Sequence, residues 1–151
     1  MKEFVRTIPD YPVKGIQFKD ITTLLQNADH FKKVNDTYGH NAGDIVLSEL
    51  AKTIHDAVRN DDIACRLGGD EFFVICPNTD KQGGLNVAEY VRKTVSELHV
   101  SVGDGEWHGS ISIGLATRDA DMENSHELIK IADDSVYMAK RNGKNCVRTG
   151  D

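Results

Sequence analysis

The stretch RLGGDEFFVIC, residues 66–76, places two adjacent glycines and two adjacent acids between apolar residues. The apolar runs at residues 63–67 and 72–76 have the length of strands, and Gly68 and Gly69 suit the turn of a hairpin between them. We therefore expect a β-hairpin with Asp70 and Glu71 at its tip. The question is what chemistry requires two carboxylates there.

An Asp-Glu pair at a turn has two interpretations. It can be a solvated turn, or it can bind a hard divalent cation, since Mg²⁺ is usually held by one or two carboxylates together with substrate phosphates and water. The neighbouring glycines allow a ligand to approach the backbone closely, and the flanking strands give the acids rigid support. Nucleotidyl transfer needs this arrangement, because a metal neutralises the triphosphate while a carboxylate deprotonates the attacking hydroxyl.

The rest of the chain alternates between helical and strand patterns. Apolar residues recur at helical spacing in residues 42–58 and 85–98, and a third helix is expected at about residues 125–142, ended by Gly143. Residues 77–84 are expected to form a turn, and residues 100–117 a second hairpin whose later strand spans about 108–117. NCVRTG, at 145–150, is expected to be an edge strand. This order predicts one domain of the α/β or α+β class, with a sheet covered by helices.

The composition excludes several classes of protein. A net charge of −6 over 151 residues argues against non-specific binding to nucleic acid. The N-terminal segment contains Pro9 and Pro12 and no continuous apolar run, so we expect no signal peptide and no membrane association, and place the protein in the cytoplasm. Cys65, Cys76 and Cys146 are odd in number and lack CxxC spacing, which favours buried thiols over a disulfide framework or a zinc site.

A second polar segment is DHFKKVNDTYGHNAGD, residues 29–44. Phe31 offers an apolar anchor, while Asn35 and Asp44 could read a base, because a carboxylate accepts two donors from a guanine edge and an amide can donate to its acceptors. Asn and Asp are also common helix caps, so the segment alone leaves both interpretations open.

Four blocks together resemble the GGDEF family of diguanylate cyclases. They are GGDEF at 68–72, DHFKKVNDTYGHNAGD at 29–44, SISIGLA at 110–116 and ADDSVYMAKRNGKN at 132–145. The resemblance implies a nucleotidyl-cyclase or polymerase-palm-like sheet, antiparallel at its centre and flanked by helices. It also implies condensation of two GTP into cyclic di-GMP and pyrophosphate, with Mg²⁺ or Mn²⁺ as cofactor. Each domain would hold one GTP, so a transient or ligand-induced homodimer is implied.

The resemblance also assigns roles to residues. Asp70 would be a metal ligand and the base for the 3′-hydroxyl, with Glu71 beside it, and the metal set would include Asn27 and Ala28. The implied substrate-binding set is Phe31, Asn35, Asp44, Gly68, Gly69, Lys140 and Lys144. In that set the two lysines would hold the triphosphate, although without the resemblance they are equally well a solvated helix end favoured by the macrodipole.

RNDD, residues 59–62, fits the RxxD inhibitory site of the family. The resemblance implies that Arg59 and Asp62 bind cyclic di-GMP, so that the product inhibits its own synthesis. The alternative is a helix-end salt bridge that contributes little to stability.

The chain departs from the family pattern near its beginning. Asn27 stands where the family has a metal-binding Asp, so the site lacks one formal charge and weaker metal binding is expected. Residues 1–27 resemble the start of adenine phosphoribosyltransferases without supplying that activity, and we assign 28–151 to the GGDEF domain. ITTLLQN, at 21–27, could serve as a substitute first strand. The alternative function is a weak or inactive GGDEF domain that binds GTP or cyclic di-GMP as a sensor or interaction module.

Overall fold

The computed structural model describes residues 21–150. Residues 1–20, most of the segment for which a phosphoribosyltransferase resemblance was predicted, lie outside the described residues. That resemblance and the division of the chain at residue 28 stay predictions. The elements in chain order are β1 (Ile21–Ala28), α1 (Phe31–Tyr38), α2 (His40–Ala57), β2 (Ile63–Gly68), β3 (Glu71–Pro77), α3 (Lys81–Ser96), β4 (His99–Val102), β5 (Gly105–His108), β6 (Ile111–Thr117), α4 (Ser125–Arg141) and β7 (Val147–Thr149).

The main sheet has five strands in the order β2-β3-β1-β6-β7. The central strand β1 pairs antiparallel with both β3 and β6, β2 pairs antiparallel with β3, and β7 joins the edge parallel to β6. The predicted mixed α/β class with an antiparallel-centred sheet is thus confirmed. The substitute first strand at 21–27 is also confirmed, and it occupies the middle of the sheet.

Helices cover both faces of this sheet. A Cβ added to Gly114 in β6 would meet Ala132 and Val136 of α4, whereas the side chain of the next residue, Leu115, lies against Gly84 of α3. Successive strand residues point to opposite faces, so α3 and α4 lie on opposite sides of β6. This explains why β3 and β6 are buried along nearly their whole length.

The β2–β3 hairpin agrees closely with the prediction, and so do α4 and the edge strand β7. The predicted helix at 42–58 is observed as α2, which begins two residues earlier, after Gly39 at φ +90°. Asn124 caps α4 by accepting hydrogen bonds from the backbone amides of His126 and Glu127, and Gly143 follows the helix at φ +99°.

Two local predictions are wrong. Part of the predicted turn at 77–84 is the first turn of α3, because the Asp80 side chain caps the helix at Gly83 and because Gly84 gives Thr22 room to pack. The predicted second hairpin is present, but its later strand is not the one expected at 108–117: β4 pairs with the short strand β5, and the two form a separate two-stranded sheet. The chain then breaks at Gly109, where a Cβ would overlap the Val95 carbonyl, and enters the main sheet as β6.

The three cysteines are free thiols. Cys65 and Cys76 are buried as predicted, whereas Cys146, next to the edge strand, is only half-buried. Among the helices within residues 21–150, none has both the length and the apolar character required to cross a bilayer.

Candidate active site

The tip of the β2–β3 hairpin presents the two predicted carboxylates. Gly69 has φ +50°, a conformation that glycine adopts without strain, and a Cβ at Gly68 or Gly69 would meet no atom within 4 Å. Arg66 holds the turn by donating from Nε and Nη2 to the Gly69 carbonyl, at 2.9 and 2.7 Å. Asp70 is half-buried in this turn and Glu71 is exposed at the start of β3, so the tip is open to a ligand.

The end of β1 meets this tip. The backbone amide of Ala28 donates to the Asp70 carbonyl at 3.2 Å. Asn27 lies directly opposite Glu71 in the pairing of β1 with β3. The structure therefore brings all four predicted metal residues, Asn27, Ala28, Asp70 and Glu71, to adjacent backbone positions.

The donor set at this point fits a hard divalent cation. Asp70 and Glu71 offer carboxylate oxygens and Ala28 offers a backbone carbonyl, while position 27 of the same strand is a neutral Asn. Mg²⁺ takes oxygen ligands of these kinds and keeps several waters. The set carries two formal negative charges, whereas an acid at position 27 would give three. The residues therefore fit a divalent cation, with weaker binding than a set of three acids would give.

The predicted base-reading residues lie where α1 and α2 cross. Gly43 of α2 is buried, and a Cβ there would overlap the Asn35 side chain and approach Phe31 Cζ to 3.2 Å. Asn35 Oδ1 is buried and accepts no hydrogen bond within the described part of the chain. Leaving such an acceptor unpaired costs about 1–3 kcal/mol. Asp44, the next residue after Gly43, is exposed.

The predicted phosphate-binding lysines lie at the end of α4 and in the turn after it, and both are half-buried. Gly143, Lys144 and Asn145 all have positive φ, at +99°, +64° and +44°. The last two are unusual because a Cβ disfavours this region. Hydrogen bonds fix the turn, since the Lys144 amide donates to the Ala139 carbonyl at 3.0 Å and the Asn145 amide donates to Asp29 Oδ2 at 3.1 Å.

Asp29 is the residue whose importance the sequence did not reveal. Only 1% exposed, it also accepts hydrogen bonds from Ser110 Oγ at 2.6 Å and from Ser112 Oγ at 2.7 Å. Its carbonyl accepts from Trp107 Nε1 at 3.2 Å. One carboxylate thus joins the end of β1, strand β6 and the turn after α4. One signal for this contact was present in the sequence: Ser110 and Ser112 are two positions apart, so both hydroxyl groups lie on the same face of an extended chain.

Arg59 and Asp62 lie apart from these groups. The bidentate pair is formed as the salt-bridge interpretation expected: Arg59 Nε and Nη2 donate to Asp62 at 3.3 and 3.1 Å, and the Asp62 side chain is fully buried. The hydrogen bond and the charge of Asp62 raise the pKa of the Arg59 guanidinium. The six residues of β2 separate this pair from the hairpin tip by roughly 20 Å.

A cavity of about 660 Å³ adjoins this salt bridge. Arg59 lines it with a side chain that is 56% exposed, and Thr79, Thr117 and Arg118 line it as well. Two arginines and one acid, Asp80, therefore line the same cavity.

Comparisons with known proteins agree with this geometry. The family model for "Diguanylate cyclase, GGDEF domain" matches residues 16–146. Diguanylate cyclase A of Treponema denticola is 41% identical over 133 residues, which cover 88% of this chain and 36% of that protein. The chain thus spans about a third of the length of this curated relative.

Solved structures show the same fold. The GGDEF domain of YfiN (TpbB) from Pseudomonas aeruginosa superposes with a TM-score of 0.81 at 30% identity, covering 87% of this chain and 83% of that one. The GGDEF domain of DgcB from Caulobacter crescentus, solved in complex with cyclic di-GMP, gives the same TM-score and identity, with 87% and 76% covered. The palm-like sheet expected from the resemblance is confirmed. With its hairpin tip, its central β1 and a family match over most of its length, the chain belongs to the GGDEF domain family of diguanylate cyclases.

Proposed function

We propose that this domain condenses two molecules of GTP into cyclic di-GMP and releases two pyrophosphates. The observation that carries the proposal is the meeting of β1 with the hairpin tip, where the Ala28 amide donates to the Asp70 carbonyl. Helix α1 follows β1 after two residues and carries Asn35, so one chain segment links the metal-type donors to a group suited to a base.

Guanine recognition is assigned to Asn35 and Asp44. The unpaired Asn35 Oδ1 is supplied with a partner when a base N–H donates to it, which removes the cost of an orphaned acceptor. The Asp44 carboxylate can accept two donors from a guanine edge. Phe31 lies against the same Gly43 surface and supplies apolar contact.

Phosphate binding is assigned to Lys140 and Lys144, with Gly68 and Gly69 leaving space for the nucleotide. Lysine supplies a point charge, without the bidentate fork of arginine. The positive φ of Lys144 supports a functional role, because a strained backbone conformation must be maintained by its surroundings, here by the Ala139 and Asp29 hydrogen bonds.

Asp70, Glu71, Ala28 and Asn27 would hold Mg²⁺ or Mn²⁺. When bound, the ion would neutralise the triphosphate and lower the pKa of the attacking 3′-hydroxyl. Asp70 takes the proton of that hydroxyl. The new bond joins the 3′-oxygen to the α-phosphorus of the second GTP, the bond between the α-phosphorus and the bridging oxygen breaks, and pyrophosphate leaves.

Each domain supplies one GTP, so two domains must meet with their hairpin tips facing. Between two separate domains this encounter is bimolecular, so its rate depends on the effective concentration of the domains. We expect a transient homodimer in the cytoplasm, where GTP is available.

The test is incubation of the purified protein with GTP and Mg²⁺, with chromatographic detection of cyclic di-GMP. We expect product whose initial rate rises with the square of protein concentration. Asp70→Asn should abolish it, while Asp133→Asn, at an exposed position on α4, should not change it. Absence of product at every protein concentration would refute the enzyme.

Asn27 favours a second candidate function, a module that binds GTP or cyclic di-GMP with little turnover. The missing charge weakens metal binding and leaves the base-reading residues in place. Asn27→Asp should then raise both Mg²⁺ affinity and turnover. Calorimetry separates the cases: binding of either nucleotide without product supports the module, and binding of neither refutes both functions.

Cyclic di-GMP is also proposed as an inhibitor bound at Arg59 and Asp62. The buried Asp62 orients the guanidinium, and the adjoining cavity of about 660 Å³ is lined by Arg118 as well. Because Asp62 engages Nε and Nη2 of Arg59, the guanidinium would donate to a phosphate oxygen through Nη1. Product bound at Arg59 and Asp62 would lie roughly 20 Å from the hairpin tip, so it would inhibit from outside the GTP site.

A further inference from the structure

The β4–β5 hairpin carries three potential metal ligands on its exposed face. His99 in β4 lies directly opposite His108 in β5, with ring centroids 4.6 Å apart and an interplanar angle of 75°. Glu106, two residues before His108, therefore points to the same side of the hairpin, and its Oε1 contacts His99 Nδ1. All three residues are exposed.

The three side chains can converge on one ion. One ligand atom from each lies within 4.8 Å of the others. A tetrahedral zinc ion with bonds of about 2.0–2.1 Å separates its ligands by roughly 3.3 Å. To reach that separation from at most 4.8 Å, the ligand atoms need to move closer by roughly 1.5 Å. Exposed side chains can do this by small rotations, without movement of the strands.

The backbone beneath these ligands is already fixed. On the other face of the hairpin Val100, Val102 and Trp107 are buried, and Trp107 Nε1 donates to the Asp29 carbonyl. Tyr38 of α1 packs against the glycines of the hairpin turn. Ligands on supported strands lose little freedom when they bind.

The ligand chemistry selects the class of metal. Two imidazoles and one carboxylate suit Zn²⁺, Ni²⁺ or Cu²⁺, whereas Mg²⁺ prefers oxygen ligands such as those at the β2–β3 tip. We propose that His99, Glu106 and His108 form a binding site for a divalent transition-metal ion, with water completing its coordination. This site is separate from GTP turnover and does not depend on it.

Trp107 makes the site easy to observe. It is the only tryptophan in the chain and lies between two of the ligands, Glu106 and His108. A paramagnetic ion such as Ni²⁺ bound beside it should quench its fluorescence, and the same titration with Zn²⁺ can be followed by calorimetry.

The experiment titrates Ni²⁺ and Zn²⁺ into the purified chain in the presence of excess Mg²⁺, which occupies the oxygen ligands at the β2–β3 tip. We expect saturable quenching and one Zn²⁺ per chain. Changes outside the ligand shell already weaken metal binding by about 10–100-fold, so His99→Gln and His108→Gln should each reduce affinity at least tenfold. Glu106→Gln should also weaken binding.

The matched control is His55→Gln, because His55 also contacts a carboxylate, that of Asp56, but belongs to no such triad among the described residues. It should leave affinity unchanged. The ligand variants are surface changes, so their circular dichroism and Tm without metal should match the parent. Unchanged affinity in both histidine variants, or loss of Zn²⁺ binding in Asp70→Asn alone, would overturn the proposal.

Discussion

Asp29 is expected to stabilise the domain through its carboxylate. Comparing Asp29→Asn with Asp29→Ala distinguishes the contribution of the negative charge from that of the hydrogen bonds. The side chain accepts hydrogen bonds from Ser110, Ser112 and the Asn145 amide, and is 1% exposed. Asp29→Asn keeps the shape and one acceptor oxygen. Asp29→Ala removes every acceptor and leaves a small cavity.

The expected costs follow from the three bonds. Hydrogen bonds to a charged group contribute about 1.5–3 kcal/mol each, and neutral ones about 0.5–1.5 kcal/mol. In Asp29→Asn the amide oxygen can accept from Ser110 and from the Asn145 amide, while the amide nitrogen donates to the Ser112 hydroxyl, which can act as an acceptor. Only the charge is lost, so we expect a decrease of about 1–3 kcal/mol in the free energy of unfolding.

Asp29→Ala should cost more. It leaves the buried Ser112 hydroxyl without its acceptor, at about 1–3 kcal/mol for a buried unpaired group. It also removes the charge-assisted hydrogen bonds from the partly buried Ser110 hydroxyl and Asn145 amide, at about 1.5–3 kcal/mol each. A loss above about 4 kcal/mol is expected, which is a large part of the 5–15 kcal/mol typical of a whole domain. Loss of this anchor should also release the turn that carries Lys144, so hydrogen exchange at the Asn145 amide should accelerate.

The assay is urea unfolding followed by the fluorescence of Trp107, which is bonded to the Asp29 carbonyl. Asp133→Asn, an exposed change on α4, is the control and should stay within about 0.5 kcal/mol of the parent. The reasoning fails if Asp29→Ala is within 0.5 kcal/mol of the parent, or if the Asn and Ala variants are equally stable.

Three further changes address other parts of the chain. Gly43→Ala places a methyl group against the Asn35 amide. Initial rates should then show a KM for GTP about tenfold higher, which corresponds to the loss of one hydrogen bond of about 1.4 kcal/mol. An unchanged KM would contradict the assignment of Asn35 to guanine. Arg59→Ala should weaken product inhibition at least about tenfold, and Arg59→Lys should restore part of it, as measured by initial rates with added cyclic di-GMP. Burial raises the pKa of Cys76 to about 12 and that of Cys65 to about 11. The unfolded chain therefore loses these protons first, and urea titrations should show stability falling between about pH 9 and 12, less steeply in Cys76→Ala.

The sequence predicted the hairpin, the central strand and the helix ends where local signals agree. In RLGGDEFFVIC the glycine pair separates two strand-length apolar runs, and the observed strands begin and end within a residue of the predicted ones. The C-terminal end of α4 is similarly local, because Gly143 adopts a positive φ that ends a helix.

The sequence-based predictions fail where contacts between residues far apart in the chain determine the local structure. Gly83 and Gly84 have low helix propensity, yet they lie in α3 because Asp80 caps it and because Gly84 packs beneath Thr22, some sixty positions away. The break at Gly109 likewise depends on the Val95 carbonyl. Asp29 was missed because its partners come from β6 and from the turn after α4, and no local spacing reveals a contact between residues 29 and 145.

The position of Asn27 makes its effect on metal binding separable from the fold. Pairing with Glu71 and Ser112 fixes the backbone at residue 27, and the neighbouring Asp29 anchors the end of the strand. Asn27→Asp therefore changes charge at a backbone position that is already set. Without metal, Asn27→Asp puts an acid at the position paired with Glu71, and like charges at paired positions of two strands lower stability. With Mg²⁺ the same charge strengthens binding, so the increase in Tm on adding Mg²⁺ should be larger in Asn27→Asp than in the parent chain. An equal increase in both would show that residue 27 does not take part in the metal site.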